Sequence, residues 1–253
     1  MPGRIYALAN QKGGVGKTTT AVNLAACLAE AGERALVVDL DPQANATSGL
    51  GERANGSSTY DLLDGAPLRD LVRRTKFANL DLVPSKPDLA GASVELARHE
   101  AGDGYLAASL AEARERYGFV FIDCPPSLGL LTLNALVAAD AVLIPLHCEY
   151  FALEGLADLV GTMRRVRAAF NPVLEIEGVL LTMYDERTNL GQLVARDVRE
   201  FFREKVFNTI IPRNVKLSEA PSHGIPGVLY DAKSRGAAAY VALAQELLAR
   251  DAA

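Results

Sequence analysis

Short apolar segments alternate with longer amphipathic segments along the whole chain. The apolar segments are rich in Val, Ile, Leu and Ala, and several carry almost no polar residue, which is typical of strands covered by helices on both faces. They predict strands at Arg4–Ala9, Ala35–Leu40, Leu80–Pro84, Phe119–Asp123, Ala141–Leu146, Gly178–Met183 and Phe207–Ile211.

Helical periodicity fills most of the gaps between these strands. The predicted helices are Thr18–Ala31, Asp103–Tyr117, Leu130–Ala138, Glu154–Ala169, Leu190–Phe202 and Gly236–Arg250. Strands that alternate with helices indicate βαβ units, so we expect an α/β fold with a doubly wound, mostly parallel sheet and helices on both faces. The polar, glycine-rich stretch Asn45–Ser58 predicts a long exposed loop. With no repeat or break in composition, residues 1–253 are expected to form a single domain.

Composition adds few constraints to this picture. The chain has 253 residues, of which 49% are hydrophobic, enough for one large core. It has neither an apolar run near the roughly 18 residues needed to span a bilayer nor a recognisable secretion signal, so we expect a cytoplasmic protein. Its cysteines, Cys27, Cys124 and Cys148, form no C-x-x-C pair and indicate neither a disulfide framework nor a zinc site.

The segment Gln11–Thr19, with the sequence Q-K-G-G-V-G-K-T-T, lies between the first predicted strand and the first predicted helix. Glycines in such a turn let consecutive backbone N–H groups point at a bound anion, and the start of the helix adds its dipole. Lys17 can then reach the terminal phosphates, and the Thr18 hydroxyl can ligate Mg²⁺. The predicted nucleotide ligands here are Lys12, Gly13, Gly14, Val15, Gly16, Lys17, Thr18 and Thr19.

This motif differs from the ordinary phosphate loop, because Gln11 stands where glycine is usual and a second lysine, Lys12, follows it. K-G-G-x-G-K-T resembles the deviant Walker A motif of the ParA/MinD/nitrogenase-iron-protein group of P-loop ATPases. The resemblance implies that the nucleotide is ATP, hydrolysed with Mg²⁺, and that Lys12 reaches across a homodimer interface to the phosphates of the partner's nucleotide. A cation delivered in trans makes hydrolysis depend on assembly.

Aspartates end two of the predicted strands, at the edge where open α/β sheets bind ligands. By the same resemblance, Asp41 is the residue that positions or activates the attacking water, which makes Lys12, Lys17 and Asp41 the catalytic set. Asp39 would support Mg²⁺ and the loop, and Asp123 matches the Walker B aspartate that holds the ion through water. The predicted Mg²⁺ ligands are Thr18, Asp41 and Asp123. A purely structural turn at Asp41–Pro42 is the alternative.

Three further segments carry the resemblance over essentially the whole chain: Asp41–Gly51, Glu149–Gly155 and Ile211–Ser222. They are similar to the short chromosomal ParA proteins often called Soj, which partition replicated DNA. That likeness implies a centromere-binding ParB partner that stimulates hydrolysis, and weak ATPase activity without it. It also implies adenine contacts from Met183, Pro212, Arg213 and Asn214.

Charge is distributed unevenly. The segment from Arg187 to Arg235 contains nine Lys or Arg residues and five Asp or Glu residues, so its formal charge is +4 in a chain whose net charge is −5. Charge alone favours a solvated surface. The resemblance favours instead a surface that binds double-stranded DNA without sequence preference, with a nucleoid-associated location. The residues predicted to contact DNA are Arg187, Lys216, Lys233 and Arg235.

Two other functions share the nucleotide motifs. A MinD-like membrane-cycling ATPase would need a basic, bulky amphipathic helix, whereas Val241–Asp251 is alanine-rich with one basic residue, so no membrane partner is expected. An iron-protein-like reductase would need thiolates for an iron–sulfur cluster bridging a dimer. Cys124, next to the predicted Walker B aspartate, keeps that possibility open.

Overall fold

The apolar segments come together as one sheet in the computed structural model, which describes residues 2–53, 55–96, 104–149 and 152–251. Within these ranges the strands are β1 (Arg4–Leu8), β2 (Ala35–Asp39), β3 (Arg73–Arg74), β4 (Leu80–Val83), β5 (Phe119–Asp123), β6 (Ala141–His147) and β7 (Glu175–Thr182). Their order is β3-β4-β2-β5-β1-β6-β7, and only the β3–β4 pair is antiparallel. The predicted α/β fold is confirmed.

Helices connect the strands and cover both faces of the sheet. Those in the described ranges are α1 (Lys17–Glu30), α2 (Asn45–Gly49), α3 (Thr59–Leu63), α4 (Leu68–Leu71), α5 (Leu89–Leu96), α6 (Tyr105–Leu110), α7 (Ala113–Arg116), α8 (Leu130–Ala138), α9 (Ala152–Ala169), α10 (Asn189–Phe202), α11 (Val215–Glu219), α12 (Gly227–Tyr230) and α13 (Arg235–Asp251). Short 3₁₀ segments follow α10 and α11.

Alternate residues of each central strand point to opposite faces, which explains why these strands are apolar throughout. In β1, Ile5 and Ala7 join one buried cluster, while Tyr6 and Leu8 join the other. Helices α1 and α13 pack together on the Tyr6 side, and α8 contributes to the opposite cluster.

The strand order reverses at β1, which pairs with β5 on one side and β6 on the other. All three strands run parallel, so their carboxyl ends lie at the same edge of the sheet. Register places Asp123 beside both Leu8 and Asp39. Ligands of open α/β sheets bind at such a reversal, and the loop after β1 opens onto it.

The predicted strand Phe207–Ile211 is wrong. This segment does run beside β7, where the Phe207 and Ile211 N–H groups donate to β7 carbonyls, but the only bridges along it in the described ranges are isolated ones at the flanking residues Val206 and Pro212. Between them the Asn208 and Thr209 N–H groups donate to the carboxylate of Glu246 on α13, at 2.8 and 2.9 Å. A side chain therefore takes the donors that a continuous strand would have used.

Two further expectations about chain segments need correction. The stretch Asn45–Ser58 contains α2 and several buried residues, Thr47 and Ser58 among them, so it is not simply an exposed loop; Ala54 lies outside the described residues. The predicted helix Asp103–Tyr117 is divided into α6 and α7, and Asp103 also lies outside the described residues. The division leaves Leu106, Leu110 and Ala113 buried against one core cluster.

Candidate functional site

The loop between β1 and α1 adopts a conformation that needs glycine. Gly14 and Gly16 have φ values of 71° and 89°, in the left-handed region that other residues avoid, and Gly16 is the N-cap of α1. Because α1 starts at Lys17, its first backbone N–H groups have no partner within the helix and face the loop. Such an arrangement suits an anion with several oxygens.

Neighbouring strands hold the loop in place. The Thr182 hydroxyl, at the end of β7, donates to the Val15 carbonyl at 2.8 Å. The Asn10 side chain donates to the Pro145 carbonyl of β6 at 2.8 Å and accepts from the Lys12 N–H at 3.0 Å. These hydrogen bonds fix the loop to β6 and β7 independently of any ligand.

The two lysines of the motif differ in their surroundings. Lys17 is only 6% exposed, and its ammonium donates to the Lys12 carbonyl at 3.2 Å. Burial lowers the pKa of Lys17, although the nearby Asp123 carboxylate opposes the shift. The Lys12 side chain instead points away from its own loop and donates to the Glu149 carboxylate. Lys17 therefore lies within the site, and Lys12 lies at its margin.

Asp39 is fully buried but well partnered. Its carboxylate accepts from the Thr47 N–H at 2.8 Å, from the Thr47 hydroxyl at 2.7 Å and from the Asp41 N–H at 3.2 Å. Burial raises the pKa of Asp39 to about 6, while these hydrogen bonds act in the opposite direction. Asp39 thus anchors the start of α2 to the end of β2.

Asp123 is equally buried, yet among the described residues neither of its carboxylate oxygens has a hydrogen-bond partner. Burial, followed by the charge of Asp39, raises the pKa of Asp123 well above its usual range. The adjacent Thr18 hydroxyl offsets part of that shift, although its geometry falls short of a hydrogen bond, and Lys17 offsets a little more. An unpartnered buried carboxylate beside a threonine hydroxyl provides the hard oxygen ligands that Mg²⁺ requires, so these residues fit the predicted cation.

Asp41 lies just past the end of β2 and is 7% exposed. Its Oδ1 atom accepts from the Gln43 N–H at 2.9 Å, so the side chain does support a turn, and its carbonyl accepts from the Ser85 hydroxyl at 2.7 Å. The same residue lines the cavity beside the phosphate loop. The Asp41 side chain can therefore support the turn and also position the attacking water, as predicted.

A cavity of about 470 Å³ opens over the loop, within the size range of small-molecule sites. It brings together eleven of the predicted residues: Gly13, Gly14, Gly16, Lys17, Thr18, Thr19, Asp41, Met183, Pro212, Arg213 and Asn214. Val15 is buried in the core, and Lys12 and Asp123 are not part of the lining. Met183, which directly follows β7, has φ 48°, a strained conformation for a residue with a side chain. The roles of all these residues as nucleotide ligands stay predictions.

Sequence reasoning missed several residues that line this cavity: Gln43, Asn45, Pro126, Thr182, Ile211, Leu217, Ser218, Pro221 and Tyr240. Thr182 could have been found, because it is the last residue but one of the predicted strand Gly178–Met183, at the edge where ligands bind. Tyr240 could not, since it is one apolar position of α13, and only the packing of α13 on α1 brings its hydroxyl to 3.1 Å from Thr20.

The residues predicted to bind DNA lie on several elements. Arg187 and Arg235 share an open depression with Arg213, whereas Lys216 lies on α11 and Lys233 precedes α13. Arg187 makes two hydrogen bonds to the Asp185 carboxylate, at 2.8 and 2.7 Å, and Lys216 pairs with Glu219 at 2.9 Å. Carboxylates therefore neutralise part of the positive charge that the sequence displays.

The contrast between the two buried aspartates predicts opposite effects of the same substitution. Asp123→Asn should raise the free energy of unfolding at pH 8 by about 1–2 kcal/mol, because it removes an unpartnered buried charge. Asp39→Asn should lower it by about 1–3 kcal/mol, because an amide places N–H donors against the Thr47 donors. Urea denaturation in the absence of nucleotide and Mg²⁺ measures both.

The pH dependence has a definite sign. A carboxyl whose pKa is raised above 3.8 binds a proton more readily in the folded than in the unfolded chain, so unfolding free energy falls as pH rises through the raised pKa. The advantage of Asp123→Asn over the wild type should therefore be largest at pH 8 and shrink as pH is lowered. An advantage that grows on acidification would contradict the assignment of a raised pKa to Asp123.

Comparison with known proteins identifies the family. A family model described as an AAA domain matches residues 3–176. The chain is 55% identical over 250 residues to the sporulation initiation inhibitor protein Soj of Bacillus subtilis, covering 98% of this chain and 99% of that protein. It is also 55% identical over 250 residues to the chromosome-partitioning ATPase Soj of Treponema pallidum, covering 98% of each.

Solved structures agree on the fold. A cobyrinic acid a,c-diamide synthase from Mycobacterium smegmatis, with bound ATP analog and magnesium, superimposes with a TM-score of 0.87 at 37% identity, covering 99% of this chain and 96% of that chain. The cell division ATPase MinD of Pyrococcus furiosus gives 0.80 at 28% identity, covering 98% and 99%. Among these proteins, the Soj proteins are more similar in sequence than either solved structure, and the chain belongs to the Soj/ParA family of chromosome-partitioning ATPases.

Proposed function

We propose that this protein binds Mg²⁺-ATP at the cavity over the phosphate loop, dimerises around the nucleotide and, as a dimer, binds DNA without sequence preference. ATP hydrolysis, stimulated by a ParB-type centromere-binding protein, returns it to a monomer that releases DNA. Cycles of this kind would segregate chromosomes or plasmids, with the protein in the cytoplasm and associated with the nucleoid. Residues 1–253 would act as one functional domain.

One observation carries the nucleotide assignment: the unpartnered Asp123 carboxylate lies beside Thr18, next to a loop whose N–H groups suit an anion. Thr18 and Asp123 would hold Mg²⁺, with Asp41 nearby, and the ion would neutralise charge on the phosphate oxygens. The structure of the 37% identical synthase contains an ATP analog and magnesium, which supports the proposal that this chain binds both. Met183, Pro212, Arg213 and Asn214 would surround the adenine.

Hydrolysis would break the bond between the terminal phosphorus and its bridging oxygen, with water as the nucleophile. Lys17 would stabilise the charge that accumulates on the phosphate oxygens, from within a site that excludes most solvent. Asp41 would orient the water, since it faces the cavity from the end of β2. Lys12 would complete the charge stabilisation only when a second subunit delivers it, so intrinsic turnover by the monomer should be slow.

Nucleotide-controlled assembly provides the direct test of this function. Sedimentation velocity and DNA retention should be measured with ADP, ATP and a non-hydrolysable analog, and then with a candidate ParB. We expect dimers and DNA retention with ATP or the analog, neither with ADP, and accelerated hydrolysis with ParB. Dimers that form equally with ADP, or DNA retention that ignores the nucleotide, would rule the switch out.

The basic residues give a prediction about DNA binding. Arg187→Glu and Lys216→Glu should each weaken ATP-dependent DNA binding and make its salt dependence shallower, because each lost phosphate contact removes about 0.9 from the slope of log K against log salt. Asp185→Asn should have the opposite effect, since it releases Arg187 from its carboxylate partner. Fluorescence anisotropy with two unrelated duplexes measures the slopes.

A matched control is available on α9. Arg167 is exposed and lies outside the Arg187–Arg235 region, so Arg167→Glu makes the same change in net charge elsewhere. It should leave the salt slope unchanged, and all variants should dimerise with ATP as the wild type does. If Arg187→Glu and Lys216→Glu retain DNA like Arg167→Glu, the DNA surface lies elsewhere.

Observations on the described residues favour partition over the two other functions. Helix α13 buries Tyr240, Leu243 and Leu247 against the core, so its bulky side chains do not form an exposed membrane-binding face. In the described ranges no helix has the length and apolar character to cross a bilayer. Cys124 is fully buried, and burial raises the pKa of its thiol, which is unfavourable for a cluster shared between subunits.

A further inference from the structure

Glu149, which follows β6, is held from two sides at the margin of the site. One carboxylate oxygen, Oε2, accepts from the Lys12 ammonium, and the other, Oε1, lies 3.0 Å from Nδ1 of His147. The hydrogen bond from Lys12 lowers the pKa of Glu149, with smaller effects from the charges of His147 and Lys12. Glu149 therefore carries a negative charge at neutral pH, and Lys12 is its cationic partner.

The backbone brings this pair together rather than a chance surface encounter. Asn10 ties the start of the phosphate loop to Pro145 of β6, four residues before Glu149, and also accepts from the Lys12 N–H. Strands β6 and β1 pair in parallel, so the segments that follow them leave the sheet at the same edge. The Lys12 ammonium is thus presented to a carboxylate of its own subunit by the same contacts that fix the loop.

We propose that Glu149 is a positioning residue, which holds Lys12 within its own subunit and so raises the ATP and protein concentrations at which the dimer forms. The inference rests on the proposed function, because it assumes that Lys12 acts in trans. Phosphate oxygens of the partner's nucleotide and the Glu149 carboxylate compete for one ammonium. Only a nucleotide with enough negative charge at the interface would displace Glu149 from the Lys12 ammonium. This competition would help the protein distinguish ATP from ADP.

The exposure of the pair determines the size of the effect. The side chains of Lys12 and Glu149 are 37% and 47% exposed, so water screens the contact and it can break readily. Ion pairs of this kind alter an equilibrium by about two- to fivefold. A symmetric dimer requires both lysines to leave, so the factor applies twice, and the dimer dissociation constant should change by about four- to twenty-five-fold.

The test is a dimerisation measurement on the full chain with a non-hydrolysable ATP analog. Glu149→Gln and Glu149→Ala should lower the dimer dissociation constant, measured by sedimentation velocity, by about four- to twenty-five-fold, and dimers should begin to appear with ADP. Glu154→Gln is the matched control: it removes one exposed carboxylate at the start of α9, five residues further on, and should leave the constant at the wild-type value. Thermal unfolding of each monomer checks that the fold is unchanged.

Combining the substitution with Lys12→Ala separates the inference from the function on which it rests. Lys12→Ala alone should weaken dimerisation, and Glu149→Gln should have no further effect in that background. If Lys12→Ala dimerises normally, trans delivery is wrong. If Lys12→Ala weakens the dimer, but Glu149→Gln in the otherwise wild-type protein leaves dimerisation unchanged or weakens it, trans delivery stands and the holding role of Glu149 is overturned.

Discussion

Lys17→Gln should strongly weaken the binding of ATP and, with it, every nucleotide-dependent property of the protein. Lys17 is 6% exposed and its ammonium lies near the carboxylates of Asp41 and Asp123, so a phosphate that binds there would meet a cation on a largely buried side chain. Removing one partner of a buried, hydrogen-bonded charge pair costs about 2–5 kcal/mol. Affinity should therefore fall by about 30-fold to several thousandfold. Isothermal titration with ATP and Mg²⁺ measures it.

Lys12→Ala provides the comparison within the same motif. Its side chain points to Glu149 and away from the cavity of its own subunit, so the monomer should bind ATP with wild-type affinity. The two lysines, five positions apart, are thus expected to separate binding from assembly. ATP affinity that survives in Lys17→Gln, or that is lost equally in Lys12→Ala, would contradict this division.

The sequence predicts the loop well because its determinants are local. Left-handed φ values at Gly14 and Gly16 require glycine, and a strand followed at once by a helix puts N–H groups at the end of the turn. The positions of the aspartates can be predicted from the sequence equally well, because Asp39 and Asp123 each end an apolar strand, and the carboxyl ends of parallel strands lie at one edge of the sheet. For such residues, sequence order and strand direction are enough to predict that they lie together.

Contacts between segments that are distant in sequence cannot be predicted in this way. Glu246 takes the N–H groups of Asn208 and Thr209 and interrupts a segment that reads as a strand, and nothing in residues 207–211 signals this. The burial of Thr47 depends on the Asp39 carboxylate. Glu149 meets Lys12 across 137 positions of sequence. In each case a side chain on another element decides the outcome, and local pattern does not encode its partner.

Asp41→Ala should leave ATP binding within a few fold of the wild type but slow hydrolysis by about 10²–10⁴-fold, the usual contribution of a positioned acid–base group. The reason is that Asp41 faces the cavity without belonging to the loop that would grip the phosphates. Dimers should consequently accumulate with ATP and persist on DNA, because the step that dissolves them is slow. Phosphate release and light scattering after size exclusion measure the two effects.

The substitution has one structural complication, and the chain offers a control for it. Asp41 Oδ1 accepts from the Gln43 N–H, so alanine removes a turn contact together with the carboxylate. Asp41→Asn keeps an oxygen acceptor for that N–H but cannot take a proton from water. If Asp41 acts on water, asparagine should be about as slow as alanine while ATP-dependent dimers still form. If asparagine restores hydrolysis to near the wild-type rate, the residue serves only the turn at Pro42, and the group that activates water must be sought among the other side chains of the cavity.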